Sequence, residues 1–161
     1  MNYSLIKYIV TDVDGVLTDG GIYTGSNGVM LKKFNVKDGA AVKILQSLGI
    51  ETIIMSSEND PNNGKILKSR SKKIGVNHCF YGMKEKHIFL KKIMNDYNIK
   101  SENIAYIGDD INDLEAMRMA SFRACPNDAV DAIKDIINIK LKLNGGKGCF
   151  RELTEHIKSN L

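Results

Sequence analysis

The chain has 161 residues, a formal net charge of +4, and 43% hydrophobic and 26% charged residues, as in an ordinary globular protein. This length predicts one domain over residues 1–161. The sequence has neither an apolar run of membrane-spanning length nor a basic stripe with interleaved aromatic residues, so we expect no membrane and no nucleic-acid partner. The three cysteines fit no zinc spacing or disulfide framework and favour a reducing cytoplasm. They are Cys79, Cys125 and Cys149.

Apolar runs alternate with helix-like segments along the chain. We predict strands at residues 5–11, 51–57, 76–81, 104–110 and 121–125, and helices at 38–48, 65–74, 84–97, 113–120 and 128–138. Residues 20–35 predict a β-hairpin, residues 59–64 a loop, and residues 139–161 end in a short helical tail. Asp38 is the predicted N-cap of the first helix. The predicted apolar face of that helix is formed by Ala41, Ile44, Leu45 and Leu48.

This alternation predicts an α/β fold, a Rossmann-like doubly wound parallel sheet with helices on both faces. In such a sheet the carboxyl ends of the strands meet at one edge, where ligands bind. Polar residues follow several of the predicted strands, and we expect them to converge at that edge. They are Asp12 and Asp14, Ser56 and Ser57, Lys86, and Asp109, Asp110 and Asp113.

The converging residues are suited to phosphoryl transfer. Several carboxylate and carbonyl oxygens in one place are typical ligands of Mg²⁺. Asp12, directly after the first strand, is free to act as a nucleophile, and Asp14 can serve as general acid and base. Ser56 and Lys86 can bind phosphoryl oxygens. Each motif alone is more typical of a turn or a solvated surface pair. Their order and their placement at strand ends favour the catalytic interpretation.

The same residues resemble the motifs of the haloacid dehalogenase superfamily of phosphatases. Four longer segments are similar to its capless family of 3-deoxy-D-manno-octulosonate 8-phosphate (KDO 8-phosphate) phosphatases, which includes nonulosonate 9-phosphate phosphatases. They span residues 13–21, 34–39, 105–110 and 145–152. The resemblance implies a domain with a hairpin insertion and no cap, and a phosphoric monoester hydrolase that forms an aspartyl-phosphate on a 3-deoxy-2-ulosonic acid phosphate.

The resemblance also implies a role for each matching position. Asp12 would be the nucleophile and Asp14 the general acid and base. Asp12, the Asp14 carbonyl and Asp109 would hold Mg²⁺, with Asp113 in support. Ser56 and Lys86 would bind the phosphoryl group.

Further implications concern assembly. In this family the hairpin builds a homotetramer, and a neighbouring subunit closes the site. The C-terminal tail can reach into such a site, where Arg151 suits a carboxylate.

One position departs from the family pattern. KDO 8-phosphate phosphatases usually have Ser-Gly-Arg after the second core strand, where this chain has Ser56-Ser57-Glu58. An acid there is more similar to relatives acting on the 9-phosphates of KDN (2-keto-3-deoxynononic acid) or sialic acid, in which a glutamate and a lysine help choose the substrate. Glu58 and Lys73 are the expected counterparts, which slightly favours a nine-carbon substrate. The alternative is that Glu58 is a solvated loop acid.

Two other functions are compatible with parts of the pattern. A receiver-type signalling domain also places acids, a hydroxyl and a lysine around Mg²⁺, but its phosphoacceptor aspartate ends a middle strand where this chain has Ser56. A non-catalytic oligomerising or regulatory module, related to the domain fused to sugar-acid cytidylyltransferases, is the second alternative. All motif residues are intact, which argues against lost catalysis.

Overall fold

The computed structural model describes residues 2–26 and 30–161. The strands are β1 (Tyr8–Thr11), β2 (Tyr23–Thr24), β3 (Met30–Leu31), β4 (Glu51–Met55), β5 (His78–Phe80), β6 (Ile104–Ile107), β7 (Phe122–Cys125) and β8 (Ile139–Lys140). The α-helices are α1 (Val36–Ser47), α2 (Pro61–Ile74), α3 (Lys86–Asp96), α4 (Ile111–Met117), α5 (Asp131–Lys134) and α6 (Cys149–Lys158). Strands pair in parallel in the order β5-β4-β1-β6-β7-β8, so β1 lies between β4 and β6.

Two hydrophobic layers cover the two faces of this sheet. Successive residues of β1 alternate between them, with Ile9 in one layer and Val10 in the other, as the two-residue period of a strand requires. Helices α1, α2 and α6 contribute to the first layer, and α3, α4 and α5 to the second. The predicted doubly wound α/β fold is therefore confirmed.

The predicted hairpin is present between β1 and α1. Strands β2 and β3 are antiparallel, with Tyr23 opposite Leu31, and an antiparallel bridge joins Thr18 to Phe34 at the base. Two residues of the predicted turn, Asn27 and Gly28, lie outside the described residues. Within residues 2–26 and 30–161 the structure contains no cap domain, as expected.

The start of helix α1 differs from the prediction. Asn35 caps the helix, because its side-chain oxygen accepts a hydrogen bond from the Lys37 amide at 2.9 Å. Asp38 is instead buried in the first turn, so its assignment as N-cap is wrong. The buried face includes Val42, whereas Leu48 at the C-terminal end is exposed.

Helix α2 begins earlier than predicted. Asp60 accepts hydrogen bonds from the amides of Asn62 and Asn63, and Pro61 occupies the first helical position. Residues 61–64, predicted as part of a loop, are therefore helical. Aspartate followed by proline is a helix-start signal as well as a turn signal, and here the helix forms.

The last third of the chain contains a strand that the pattern did not predict. Helix α5 covers only Asp131–Lys134 of the helix predicted at 128–138, and β8 pairs with β7 at the sheet edge. The predicted helical tail is confirmed as α6. Among the described residues, no helix is both long and apolar enough to cross a membrane.

Candidate active site

The site is built around the loop that leaves β1. The Asp12 amide donates to the Ile107 carbonyl at 3.1 Å, which extends the pairing of β1 with β6 and places Asp12 at the carboxyl edge of the sheet. Asp12 is 3% exposed, whereas Asp14 is half-buried. The Asp14 carboxylate accepts a hydrogen bond from the Thr18 hydroxyl at 3.1 Å and forms an ion pair with Lys32 of the hairpin.

A fully buried lysine links two of the acids. Lys86, at the start of α3, places its Nζ 2.8 Å from Asp12 Oδ1 and 2.8 Å from Asp113 Oδ1. An unpaired ammonium would be costly to bury, so both carboxylates are needed to hold it charged. Burial lowers the pKa of Lys86, but the charges of Asp12 and Asp113 outweigh it and leave the pKa raised. Lys86 therefore brings a fixed positive charge to Asp12.

Asp113 holds the other groups in place. Its Oδ1 also accepts from the Tyr106 hydroxyl at 2.8 Å, and its Oδ2 accepts from the Asp109 amide at 3.3 Å. With Lys86 included, both carboxylate oxygens have protein donors. The auxiliary role of Asp113 is compatible with these contacts and stays a prediction.

The third acid, Asp109, lies against the first loop. Its Oδ1 is buried and has no hydrogen-bond partner within the described part of the chain. Its Oδ2 would be 1.9 Å from a Cβ added to Gly15, which has φ +90°. Only glycine permits this approach of the two loops. Carboxylate oxygens of Asp12, Asp109 and Asp113 all lie within 4.8 Å of one another.

The acids are electrostatically strained without a cation. Burial, and then the charge of Asp113, raise the pKa of Asp109 to about 7. The same two causes raise the pKa of Asp12 well above its usual value, against the opposing effect of Lys86. A divalent cation would relieve both effects, and the orphaned Asp109 oxygen is a ready ligand. The residues therefore fit Mg²⁺.

A polar cavity of about 470 Å³ opens above these groups. The buried Ser56 at the end of β4 lines it, and its Oγ accepts from the Glu58 amide at 3.1 Å. The structure thus brings four predicted catalytic, phosphate-binding and metal residues, Asp12, Asp14, Ser56 and Asp109, together with Glu58 around this cavity. The cavity is lined by Asp12, Asp14, Gly15, Gly20, Ser56, Ser57, Glu58, Asn59, Asp109, Asp110 and Asn112.

Two predicted specificity residues are not brought to this cavity. Lys73 is exposed in the last turn of α2. Arg151 lies in the first turn of α6, and its guanidinium pairs with Glu155. Neither side chain lines the cavity within one chain, so their roles stay predictions.

Three site residues were missed from the sequence. Lys32 comes from the hairpin, and its contact with Asp14 depends on how the hairpin folds back. Asn112 on α4 lines the cavity and donates to the Ser57 hydroxyl at 3.1 Å. Tyr106 gave a usable signal, because a tyrosine within a buried aliphatic strand needs a partner for its hydroxyl.

Comparisons with known proteins agree with this geometry. The family model of the haloacid dehalogenase-like hydrolases matches residues 28–121. A KDO 8-phosphate phosphatase of Haemophilus influenzae is 36% identical over 152 residues, which cover 94% of this chain and 82% of that protein.

Two solved structures are similar throughout the fold. The cobalt-bound deoxy-D-mannose-octulosonate 8-phosphate phosphatase of Haemophilus influenzae has a TM-score of 0.90 at 34% identity, and the match covers 99% of this chain and 91% of that one. The Moraxella catarrhalis KDO 8-phosphate phosphatase, in complex with magnesium, phosphate and KDO, has a TM-score of 0.91 at 30% identity, covering 98% of this chain and 88% of that one. The chain therefore belongs to the haloacid dehalogenase-like hydrolases and, within them, to the KDO 8-phosphate phosphatase family of phosphoric monoester hydrolases.

Proposed function

We propose that the chain is a Mg²⁺-dependent phosphatase that hydrolyses the phosphomonoester of a 3-deoxy-2-ulosonic acid through an aspartyl-phosphate. One observation carries the proposal: the buried Asp12 carboxylate, paired with Lys86 at 2.8 Å, lies among the acids at the floor of a 470 Å³ polar cavity. The magnesium, phosphate and KDO bound by the Moraxella catarrhalis relative support this ligand class.

Asp12 and Asp109, with the Asp14 carbonyl, would hold the metal ion. When bound, Mg²⁺ neutralises carboxylate charge and the charge on phosphoryl oxygens. The unpartnered Oδ1 of Asp109 and the raised pKa of that carboxyl support this assignment. Asp113 stays outside the ligand set, because Lys86, Tyr106 and the Asp109 amide occupy its oxygens.

The reaction follows from the remaining contacts. An Asp12 carboxylate oxygen attacks phosphorus, the ester P–O bond breaks, and Asp14 gives a proton to the leaving oxygen. Asp14 then takes a proton from water, whose oxygen attacks phosphorus and releases Asp12 and inorganic phosphate. Lys86 and Ser56 stabilise the negative charge that builds on the phosphoryl oxygens.

The identity of the substrate rests on two observations that differ. The named relatives act on KDO 8-phosphate, which supports that ester as the first candidate. Glu58, in the place where an arginine is usual, supports a nine-carbon ester, KDN 9-phosphate or sialic acid 9-phosphate, as the second candidate. An acid at the rim repels a substrate carboxylate and accepts hydrogen bonds from hydroxyl groups.

We also propose a homotetramer formed through the hairpin in a reducing cytoplasm. Apolar side chains are exposed on the hairpin, with Ile22 at 83% and Leu31 at 64% exposure, and at the start of α1 directly after it, with Val36 at 81%. Burying them against other copies would be favourable. Sedimentation should give the mass of four chains, and Leu31→Lys should lower it, while the exposed Ile88→Lys on α3 should not. A wild-type monomer would contradict this assembly.

The catalytic proposal is tested by release of inorganic phosphate from an aryl phosphate and from KDO 8-phosphate, both with Mg²⁺. Asp12→Asn should lower kcat at least about a thousandfold, because the amide cannot form the covalent intermediate. Asp96→Asn, an exposed position on α3, should retain wild-type activity. Wild-type levels of activity in Asp12→Asn would contradict the mechanism, and an inactive wild-type protein would favour a non-catalytic module.

A further inference from the structure

Glu58 lies where two cavities meet. It lines the 470 Å³ cavity above Asp12 and also a second cavity of about 230 Å³ beneath the hairpin. We term the second one the hairpin cavity; it is lined by Asp14, Gly20, Gly21, Ile22, Tyr23, Met30, Leu31, Lys32, Glu58 and Asn63. A substrate with its phosphate on Asp12 and its carbon chain in the hairpin cavity must pass the Glu58 carboxylate.

The carboxylate of Glu58 is fixed rather than free in solvent. Its Oε1 accepts from the Asp60 amide at 2.9 Å, and its Oε2 accepts from Asn63 Nδ2 at 2.9 Å. Its carbonyl accepts from the Gly82 amide at 2.8 Å, which ties the backbone to the loop after β5. A carboxylate held at both oxygens loses little further entropy when it binds a ligand.

The side chain that holds Oε2 is itself buried. Asn63 is 0% exposed in the first turn of α2. A carboxylate can only accept, so the amide nitrogen of Asn63 must face Glu58. Its Oδ1 is then buried without a partner among the described residues. Leaving a buried amide oxygen unpaired lowers the stability of the fold, and the hydrogen bond from Asn63 Nδ2 to Glu58 offsets part of this loss.

The side chain that donates to the Glu58 carboxylate is a neutral amide. A lysine partner, as expected from Lys73, would neutralise the carboxylate. Asn63 is neutral, and in residues 2–26 and 30–161 no cation lies within 4.0 Å of the Glu58 carboxylate. Within the described residues, the Asp60 amide and Asn63 therefore set the orientation of the Glu58 carboxylate without an ion pair.

We propose that Asn63 is a positioning residue for substrate selection, which holds Glu58 so that it accepts hydrogen bonds from the hydroxyl groups next to the phosphate ester. This deepens the proposed function and rests on it. The ligand class is a polyol phosphate, whose hydroxyls donate to a carboxylate. A chain that presents a carboxylate at this point is repelled.

The test compares two substrates in each variant. The first substrate is KDO 8-phosphate or KDN 9-phosphate, whichever the wild type hydrolyses faster. The second is p-nitrophenyl phosphate, which has no hydroxyl groups. Asn63→Leu keeps the side-chain volume and removes the donor. It should lower the ratio of kcat/KM values, sugar acid over aryl phosphate, by about tenfold, through KM for the sugar acid.

A matched control is available in the same turn. Asn62 is exposed, and Asn62→Leu should keep the wild-type ratio. Glu58→Gln should lower the ratio, and the double variant Glu58→Gln with Asn63→Leu should lower it no further than the larger single effect. A wild-type ratio in Asn63→Leu, or additive losses in the double variant, would overturn the role of Asn63.

The outcomes remain distinct if a variant does not fold or if the wild type is inactive. If Asn63→Leu does not fold, the near-isosteric Asn63→Asp, which cannot donate once ionised, should lower the ratio in its place. If neither variant folds, Asn63 is structural and the proposal is wrong. If the wild type releases no phosphate from either sugar acid, the proposed function fails, and the role of Asn63 fails with it.

Discussion

At the scale of single residues, Asp38 shows how a buried acid can couple the stability of the fold to pH. Its Oδ1 accepts from the Arg151 amide at 2.9 Å, and its Oδ2 is buried without a partner in the described part of the chain. Burial raises the pKa of Asp38 from 3.8 to about 6, although the amides of Arg151 and Phe150 and the charge of Arg70 oppose this.

The sign of the pH effect follows from proton uptake. Between pH 4 and 6 the folded chain holds a proton on Asp38 that the unfolded chain has lost, so the stability that Asp38 contributes is lost as pH rises through this window. The raised pKa corresponds to about 3 kcal/mol at most. The difference in stability between Asp38→Asn and the wild type should therefore shift in favour of the variant by ~1–3 kcal/mol from pH 4.5 to pH 7.5. Urea unfolding at both pH values measures this, and an equal difference at both would contradict it.

Gly15 gives a second prediction at the scale of single residues. Gly15 and Gly49 both have positive φ, but only at Gly15 would an added Cβ clash, so the two together separate backbone strain from steric clash. Gly15→Ala places a Cβ at φ +90° and 1.9 Å from the Asp109 carboxylate. We expect this variant to lose activity and about 2 kcal/mol or more of stability.

Gly49 gives the matched control for this change. It has φ +72°, and no atom lies within 4 Å of an added Cβ. Gly49→Ala should cost only about 1 kcal/mol and leave phosphate release intact. Equal losses of activity in both variants would show that strain, and not the approach of Asp109, is responsible.

At the scale of elements, the C-terminal segment packs against the loop that leaves β1. The Gly146 amide donates to the Val16 carbonyl at 2.9 Å, and a Cβ on Gly145 would be 2.0 Å from the Gly15 carbonyl. The Cys149 thiol donates to the same Val16 carbonyl at 3.2 Å. The loop that leaves β1 is thus held by residues about 130 positions later in the sequence.

Different elements were predictable to different degrees. Strands β1, β4 and β6 are mostly apolar and buried, and each is followed within two residues by a residue of the site. Helix α2 was located too late, because Pro61 and its neighbours favour turns unless a cap is recognised. Strand β8 has two residues and no pattern of its own, since it forms only by pairing with β7.

The site shows the same division. Acids at strand ends can be placed from sequence, because parallel strands fix where they meet. The contacts of Lys32 with Asp14 and of Asn63 with Glu58 could not be placed, because they depend on how the hairpin and the first turn of α2 fold back over the site.

At the scale of the whole molecule, ligand binding should be visible as stability. A cation that binds only the folded chain raises its stability by about 2.7 kcal/mol at a hundred times its Kd. For a chain of this size we expect Mg²⁺ to raise Tm by about 5–10 °C over the protein in EDTA. Asp109→Asn, which removes one proposed ligand, should reduce this shift to near zero. An equal rise in both proteins would place the metal elsewhere.

The fully buried Lys86 has one more consequence, for chemical labelling. Acylating reagents attack a neutral, accessible amine, and this ammonium is 0% exposed and held by two carboxylates. Lys86 should therefore react only when the β1 edge and the start of α3 separate, and its acetylation rate would time that opening. The acetylation rate of Lys86 thus measures how often the buried contacts around Asp12 open.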